Sequence, residues 1–339
     1  MEYRVLGRTG LVVSELCLGC MVLGSLGNRD HEDCIRIIHA ALDGGINFLD
    51  TANVYAAGES EEIVGKALKG RRDDIVLATK FTGAMGDDPN RKGASRRWIM
   101  RAVEDSLRRL DTDWIDLYQI HRPPADNDIE ETLGALSDLV HQGKVRYIGS
   151  STFPASQIVE AQWTARDRGL QRFVTEQPPY SILVRGVEAD VLPACARHGV
   201  AVMSYSPLAG GWLSGRWRKE GGQQSSSRAG RLPERFDLAN PYNQRKLDAV
   251  EELAQLAEQA GLTLIQLAIG FAKSHPAITS PLIGPRTMEQ LQTQLAAAEV
   301  VLAKDMLDRI DEIVPPGTTI NPADTSFDNP ALAPAARRR

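Results

Sequence analysis

The chain has 339 residues, 42% hydrophobic and 24% charged, with a formal net charge of −5 and a pI near 5.8. That balance excludes the basic surface that nucleic acid or an anionic membrane would select, and no apolar run approaches the ~18 residues of a membrane span. The opening "MEYRVLGRTG" lacks the charged-then-apolar layout of a signal peptide, so a cytoplasmic protein is expected.

The first element, "YRVLGRTGLVV", reads as a small hairpin around Gly7-Arg8-Thr9-Gly10. Short runs rich in Val, Ile and Leu then recur at about 14–19, 46–50, 75–80, 114–120, 145–150, 173–177, 200–204 and 279–283. Their nearly continuous apolar character suits parallel strands buried on both faces. Helical spacing fills the intervals, as in "HEDCIRIIHAALDGG", "RRWIMRAVEDSLRRL" and "DIEETLGALSDLVHQGK", the last closing at Gly143 as a helix C′ residue. Strands alternating with helices in this number predict an α/β fold, a (β/α)8 TIM barrel. The hairpin would plug one end, and long loops would crown the C-terminal rim. A doubly wound sheet is the rival, but no G-x-G-x-x-G follows the first run, and "GESEEIVGKA" has the wrong glycine spacing for a phosphate loop.

Three stretches depart from the repeat, or carry a motif of their own. Cys17 and Cys20 form a C-x-x-C, but residues three apart on a strand point to opposite faces, which favours a structural role over a dithiol or metal pair. Residues 212–241 are a long polar insertion and a candidate lid. Trp212 and Trp217 within it could line a pocket or pack in a core. Residues 1–314 are expected to form one barrel domain and 315–339 an irregular tail rich in Pro and Ala, ending in three arginines.

Polar residues close three of the runs. "INFLD" ends in Asp50, "DIVLATK" in Lys80 and "WIDLYQIH" in His121. In a barrel these ends converge on one rim, where the chemistry sits. Each residue alone could simply terminate a strand; together they predict a site. Tyr55, on the loop after the second run, can fold back over that rim. A free phenol has a pKa of about 10, and a neighbouring Lys⁺ would lower it toward an efficient proton donor. Asp50 would keep Lys80 charged, and His121 would position a substrate oxygen. Near the far end, "VMSYSPLAGGWLSGR" offers glycines for close phosphate approach with Arg216 nearby. In "PLIGPRTMEQLQTQL", Thr287 and Gln290 fit a capping box beside Arg286, which is either simple capping or an anion site.

The motifs "GINFLDTANVYAAGESEEIVGKAL", "ATK", "DLYQIHRP", "GKVRYIGSS", "YSPLAGGWLSGR" and "PLIGPRTMEQL" resemble the aldo-keto reductase superfamily over about residues 3–314. The chain looks most like its bacterial branch similar to potassium-channel β subunits. The resemblance implies an NADP-dependent carbonyl reductase, with Tyr55 the general acid, Lys80 lowering its pKa, Asp50 paired with Lys80 and His121 orienting the carbonyl. It implies NADPH/NADP+ and no metal. Ser151, Thr152 and Gln177 would lie near the carboxamide, with Tyr205 stacked on the nicotinamide. Ser206, Pro207, Leu208, Gly210 and Arg216 would line the pyrophosphate. Gly284 and Arg286 would meet the 2′-phosphate end, with Gln290 and Gln294 by the adenosine. The chain departs from the family at Thr152 and Gln294, where Asn is usual; Thr152 offers a hydroxyl in place of an amide. A small carbonyl or alcohol substrate is implied, bound among loops including 81–95 and 212–241, with a monomer as the default. Two alternatives are a redox-sensing NADPH-binding subunit with little turnover and a lyase forming a Schiff base on Lys80.

Overall fold

The computed structural model describes residues 1–124, 127–220, 229–325 and 333–338. Strands β1 (Tyr3–Val5) and β2 (Val12–Ser14) pair antiparallel as the expected hairpin. Then follow β3 (Cys17–Gly19), β4 (Phe48–Asp50), β5 (Val76–Phe81), β6 (Ile115–Ile120), β7 (Val145–Ser151), β8 (Phe173–Gln177), β9 (Ala201–Val202) and β10 (Leu282–Ile283). These eight form one sheet in the order β10-β3-β4-β5-β6-β7-β8-β9, with every neighbouring pair parallel. The sheet closes on itself where Ser204 O accepts from Leu282 N at 2.7 Å and Val202 O from Thr279 N at 2.9 Å. Val202 O also receives Ser280 N at 3.2 Å. That shared acceptor breaks the regular ladder, which is why the runs expected at 200–204 and 279–283 keep only two strand residues each.

Helices α1 (His31–Asp43), α2 (Glu59–Leu68), α3 (Arg96–Leu110), α4 (Ile129–His141), α5 (Ala155–Arg168) and α6 (Val191–His198) each follow a barrel strand. After β9 come α7 (Pro233–Phe236), α8 (Pro241–Gln259) and α9 (Leu264–Ser274); α10 (Met288–Leu295) and α11 (Lys304–Ile313) follow β10. The starts are set by side chains: Asp30, Ser95 and Asp128 accept from the backbone N–H of Asp33, Trp98 and Glu130. Gly143, just past α4, has φ 74°, as a C′ residue requires.

Strand alternation divides the core in two. Phe48, Val76, Leu117 and Met203 point inward and share a cluster with Leu6 and Val13 of the hairpin; Leu49, Leu77, Tyr118 and Ile120 point outward beneath the helices. The hairpin plugs the N-terminal end: a Cβ on Gly7 would lie 2.8 Å from Gly199 O and 3.2 Å from Ala201 N. The C-terminal rim is left open, with the loops that follow the strands. Cys17 belongs to the inner cluster and Cys20 to the outer, and both thiols are unbridged and buried.

Of the polar insertion, residues 221–228 lie outside the described residues. Its flanks are anchored. Trp212 and Trp217 stack with centroids 4.1 Å apart and both pack on Phe236, so their role is core packing. Arg218 pairs with Glu251 and Glu258 of α8, and Lys219 with Asp248. After α11 the chain returns to the barrel, with Arg185 N donating to Thr318 O at 2.8 Å and Ile320 N to Leu183 O at 3.1 Å. Within the expected tail, residues 326–332 and 339 lie outside the described residues. Among the described residues no helix is long and apolar enough to cross a membrane.

Candidate active site

Asp50 ends β4 pointing into the barrel, while Thr51 turns outward to bond Ser60 of α2. Lys80, near the end of β5, is wholly buried. Its ammonium lies 2.5 Å from Asp50 Oδ2, 2.9 Å from Thr51 O and 3.2 Å from Tyr55 Oη. An ammonium has three protons and each has an acceptor here. The phenol oxygen therefore accepts from Lys80, which leaves its own proton to be donated elsewhere. Asp50 Oδ1 in turn accepts from Gln119 Nε2 at 3.2 Å and Gln177 Nε2 at 2.9 Å.

Burial alone would push Lys80 toward neutrality, but Asp50 and Tyr55 outweigh it and raise the amine above its ordinary pKa. It stays an ammonium. For Tyr55, burial raises the pKa above the ordinary phenol value, and the Lys80 charge opposes that rise without reversing it. The sequence-level expectation of a net lowering thus omitted desolvation. His121 continues the ladder past β6, its N–H donating to Phe81 O at 3.0 Å. Its ring meets that of Tyr55 edge-on at 5.5 Å. Burial, then the charges of Lys80 and Arg122, hold its pKa well below the usual imidazole range. A neutral imidazole beside the phenol can donate a hydrogen bond to a substrate oxygen.

Tyr55 reaches this position through a tight turn: Ala56 and Ala57 have φ 51° and 56° before Gly58 at 103°. Alanine in that region costs on the order of 1 kcal/mol. Thr82, Thr152, Ser206 and Ala209 also have positive φ. All follow barrel strands at the C-terminal rim, which is where strained backbone concentrates in functional sites.

The residues expected to hold a cofactor fall into three groups. Ser151 Oγ donates to Gln177 O at 2.9 Å, and Thr152 Oγ1 lies 3.5 Å from Tyr205 Oη. With Gln177 bonded to Asp50, this group is continuous with the proton site. Ser206, Pro207, Leu208 and Gly210 form the turn after β9, closed by Ala209 N to Ser206 O and Gly211 N to Leu208 O, each at 2.8 Å; Arg216 lies exposed beyond it. Gly284 follows β10, and Arg286, Gln290 and Gln294 follow in and before α10. Thr287 caps that helix by accepting from Gln290 N, but Gln290 Oε1 accepts from Arg286 N rather than Thr287 N. The expected capping box is displaced by one residue.

These groups fit an extended dinucleotide. Gln294 Oε1 is buried with no hydrogen-bond partner among the described residues. A Cβ on Gly211 would meet nothing within 4 Å, and one on Gly284 only Gly19 O at 3.9 Å. The rim beside β9 and β10 thus presents glycine backbone to open space, while the Gln294 acceptor is buried and unsatisfied. Among the described residues no group of three or more His, Cys, Asp or Glu side chains could hold a metal ion.

Sequence reasoning missed three residues. Gln119 and Thr175 line the barrel interior, and Arg122 Nη1 donates to Thr152 Oγ1 at 3.0 Å with its guanidinium 5.9 Å from the Tyr205 ring. Gln119 had a signal: it stands two before His121 in "LYQIH", on the same strand face. Arg122 had none beyond its neighbour.

The chain matches the Aldo/keto reductase family over residues 15–315. It is 42% identical to "Uncharacterized oxidoreductase YrpG" of Bacillus subtilis (strain 168), covering 93% of this chain and 96% of that protein. It is 39% identical to "Probable voltage-gated potassium channel subunit beta" of Arabidopsis thaliana, over 93% and 97%. With "Versiconal hemiacetal acetate reductase" of Aspergillus parasiticus the identity is 34%, over 92% and 96%.

Proposed function

The chain belongs to the aldo/keto reductase family, and from that premise we propose that it is an NADPH-dependent carbonyl reductase in which Tyr55 is the general acid. The observation that carries this reading is the bridge made by Lys80, 2.5 Å from Asp50 and 3.2 Å from the Tyr55 phenol. When bound, NADPH supplies the hydride that attacks the carbonyl carbon. Tyr55 gives its proton to the carbonyl oxygen as charge develops there, and Lys80 stabilises the phenolate that remains. His121, neutral, holds the same oxygen by hydrogen bonding. Run backwards, the residues take a proton from an alcohol. Ser151, Thr152, Gln177 and Tyr205 would hold the nicotinamide end. Ser206, Pro207, Leu208, Gly210 and Arg216 would hold the pyrophosphate, and Gly284, Arg286, Gln290 and Gln294 the adenosine end. Arg286 suits a 2′-phosphate because its planar fork takes phosphate oxygens in pairs.

The Tyr55→Phe variant is expected to lose at least ~10²-fold in NADPH consumption with an aldehyde, while NADPH still quenches tryptophan fluorescence. Full turnover by that variant would remove Tyr55 as the acid. Arg286→Ala is expected to weaken NADPH far more than NADH; equal losses for both would end the 2′-phosphate assignment.

One of the named relatives favours a second reading, a redox-sensing subunit with little turnover, since it is called a probable voltage-gated potassium channel subunit beta. Tight NADPH binding with negligible turnover on a panel of aldehydes and ketones would select it. The Schiff-base alternative is disfavoured because Asp50 keeps Lys80 protonated, and a protonated amine is no nucleophile.

A further inference from the structure

We propose that Gln119 is a positioning residue for the proton donor: its amide fixes the Asp50 carboxylate so that Lys80 is held against the Tyr55 phenol. The proposal rests on the reading of Tyr55 as the acid.

Gln119 is wholly buried inside the barrel, one inward position below His121 on β6. The inward residues nearer the hairpin, among them Leu117, Phe48, Ala78 and Met203, form an apolar cluster. An apolar side chain of similar size would fill the same space, so packing does not call for an amide. What the amide adds is direction. Nε2 donates to Asp50 Oδ1 at 3.2 Å, beside Gln177 Nε2 at 2.9 Å, while Lys80 takes Oδ2 at 2.5 Å. With both oxygens engaged from different strands, the carboxylate cannot rotate about its own axis without losing a donor.

The orientation of the amide is itself fixed. Thr175 Oγ1 donates to Gln119 Oε1 at 3.4 Å. Turning the amide over would set its oxygen against the carboxylate, acceptor on acceptor. Gly149, on the strand between, makes the room: a Cβ there would lie 2.0 Å from Thr175 Oγ1 and 3.3 Å from Gln119 Cγ. Five strands, β4 to β8, thus contribute Asp50, Lys80, Gln119, Gly149 and the Thr175–Gln177 pair to one polar layer under the phenol.

Removing the Gln119 amide acts on Tyr55 in one direction. Asp50 loses a donor that offsets its charge, and the Lys80 ammonium loses part of its placement; both raise the phenol pKa. Phenolate formation is read from near-ultraviolet absorbance as the difference between each protein and the same protein carrying Tyr55→Phe, with no cofactor needed. For Gln119→Leu we expect the Tyr55 transition to move up by about one pH unit. The alkaline limb of alcohol oxidation should move with it, and NADPH affinity by fluorescence should stay unchanged. Thr175→Val, which frees the amide to turn, should give a smaller shift of the same sign, and it carries the test if Gln119→Leu does not fold. Titrations of the folded variant that coincide with wild type would overturn the proposal. If Tyr55→Phe is inactive and Gln119 has no effect, only this inference fails; if Tyr55→Phe turns over normally, the underlying reading fails.

Discussion

Lys80 is the residue on which the site turns, because a buried ammonium is tolerated only where its charge and all its protons are answered. Asp50 answers the charge, and Thr51 O and the Tyr55 phenol complete the coordination. Lys80→Met would leave Asp50 a buried carboxylate facing amides alone. We expect it to cost about 3 kcal/mol in stability, read as a lower urea midpoint, together with loss of carbonyl reduction. Unchanged stability would mean that the pair contributes nothing to the fold. At this scale the sequence was informative: Asp50, Lys80 and His121 stand out as polar residues at the ends of apolar runs, and Tyr55 as a phenol on the loop after the second. The amide partners of Asp50 were not legible, because Gln119 and Gln177 lie 69 and 127 positions away from it.

Among the elements, the turn after β7 shows how one buried group supports a loop. Glu176, on the outward face of β8, accepts from Phe153 N at 3.0 Å and from the Ser150 hydroxyl. It thereby holds the turn that carries Thr152 at φ 61°. Burial raises its pKa from the ordinary 4.5 to about 7, against the opposing hydrogen bonds and the Arg122 charge. Between those values the folded protein binds a proton that the unfolded chain releases. The corresponding stability is present below about pH 4.5 and is lost as pH rises through about 7, by at most ~3 kcal/mol. Urea unfolding at mildly acidic and mildly alkaline pH measures it. Glu176→Gln, which keeps an acceptor for Phe153 N, should lose that slope; a variant with the wild-type slope would show that another group causes it.

At the scale of the molecule, the segment after α11 is tied to the barrel by a second buried lysine. Lys246 of α8 is wholly buried, 4.4 Å from the Trp212 ring, and bonds Asp324 at 2.8 Å. Arg235 Nε bonds the other Asp324 oxygen at 2.8 Å. The clamp therefore joins the returning chain to the aromatic stack beside the turn after β9. Asp324→Asn would leave Lys246 without its counter-charge, and burial already lowers that amine to about 8. We expect a loss of about 3 kcal/mol or more in thermal or urea unfolding, partly recovered when Lys246→Met is added. No recovery would place the role of Asp324 in its bond to Arg235.

What the sequence determined by itself was periodic or local: the alternation of strands and helices, the hairpin, the caps, and the polar residues that close the strands. These follow from short-range sterics and from which residues burial favours. What only the tertiary structure decided was non-local: the closure of β9 on β10, the packing of Trp212 and Trp217, the amides on Asp50, and the sign of the Tyr55 shift. Desolvation and hydrogen bonding depend on which distant side chains arrive at one point, and that is set by barrel closure and not by any one stretch of chain.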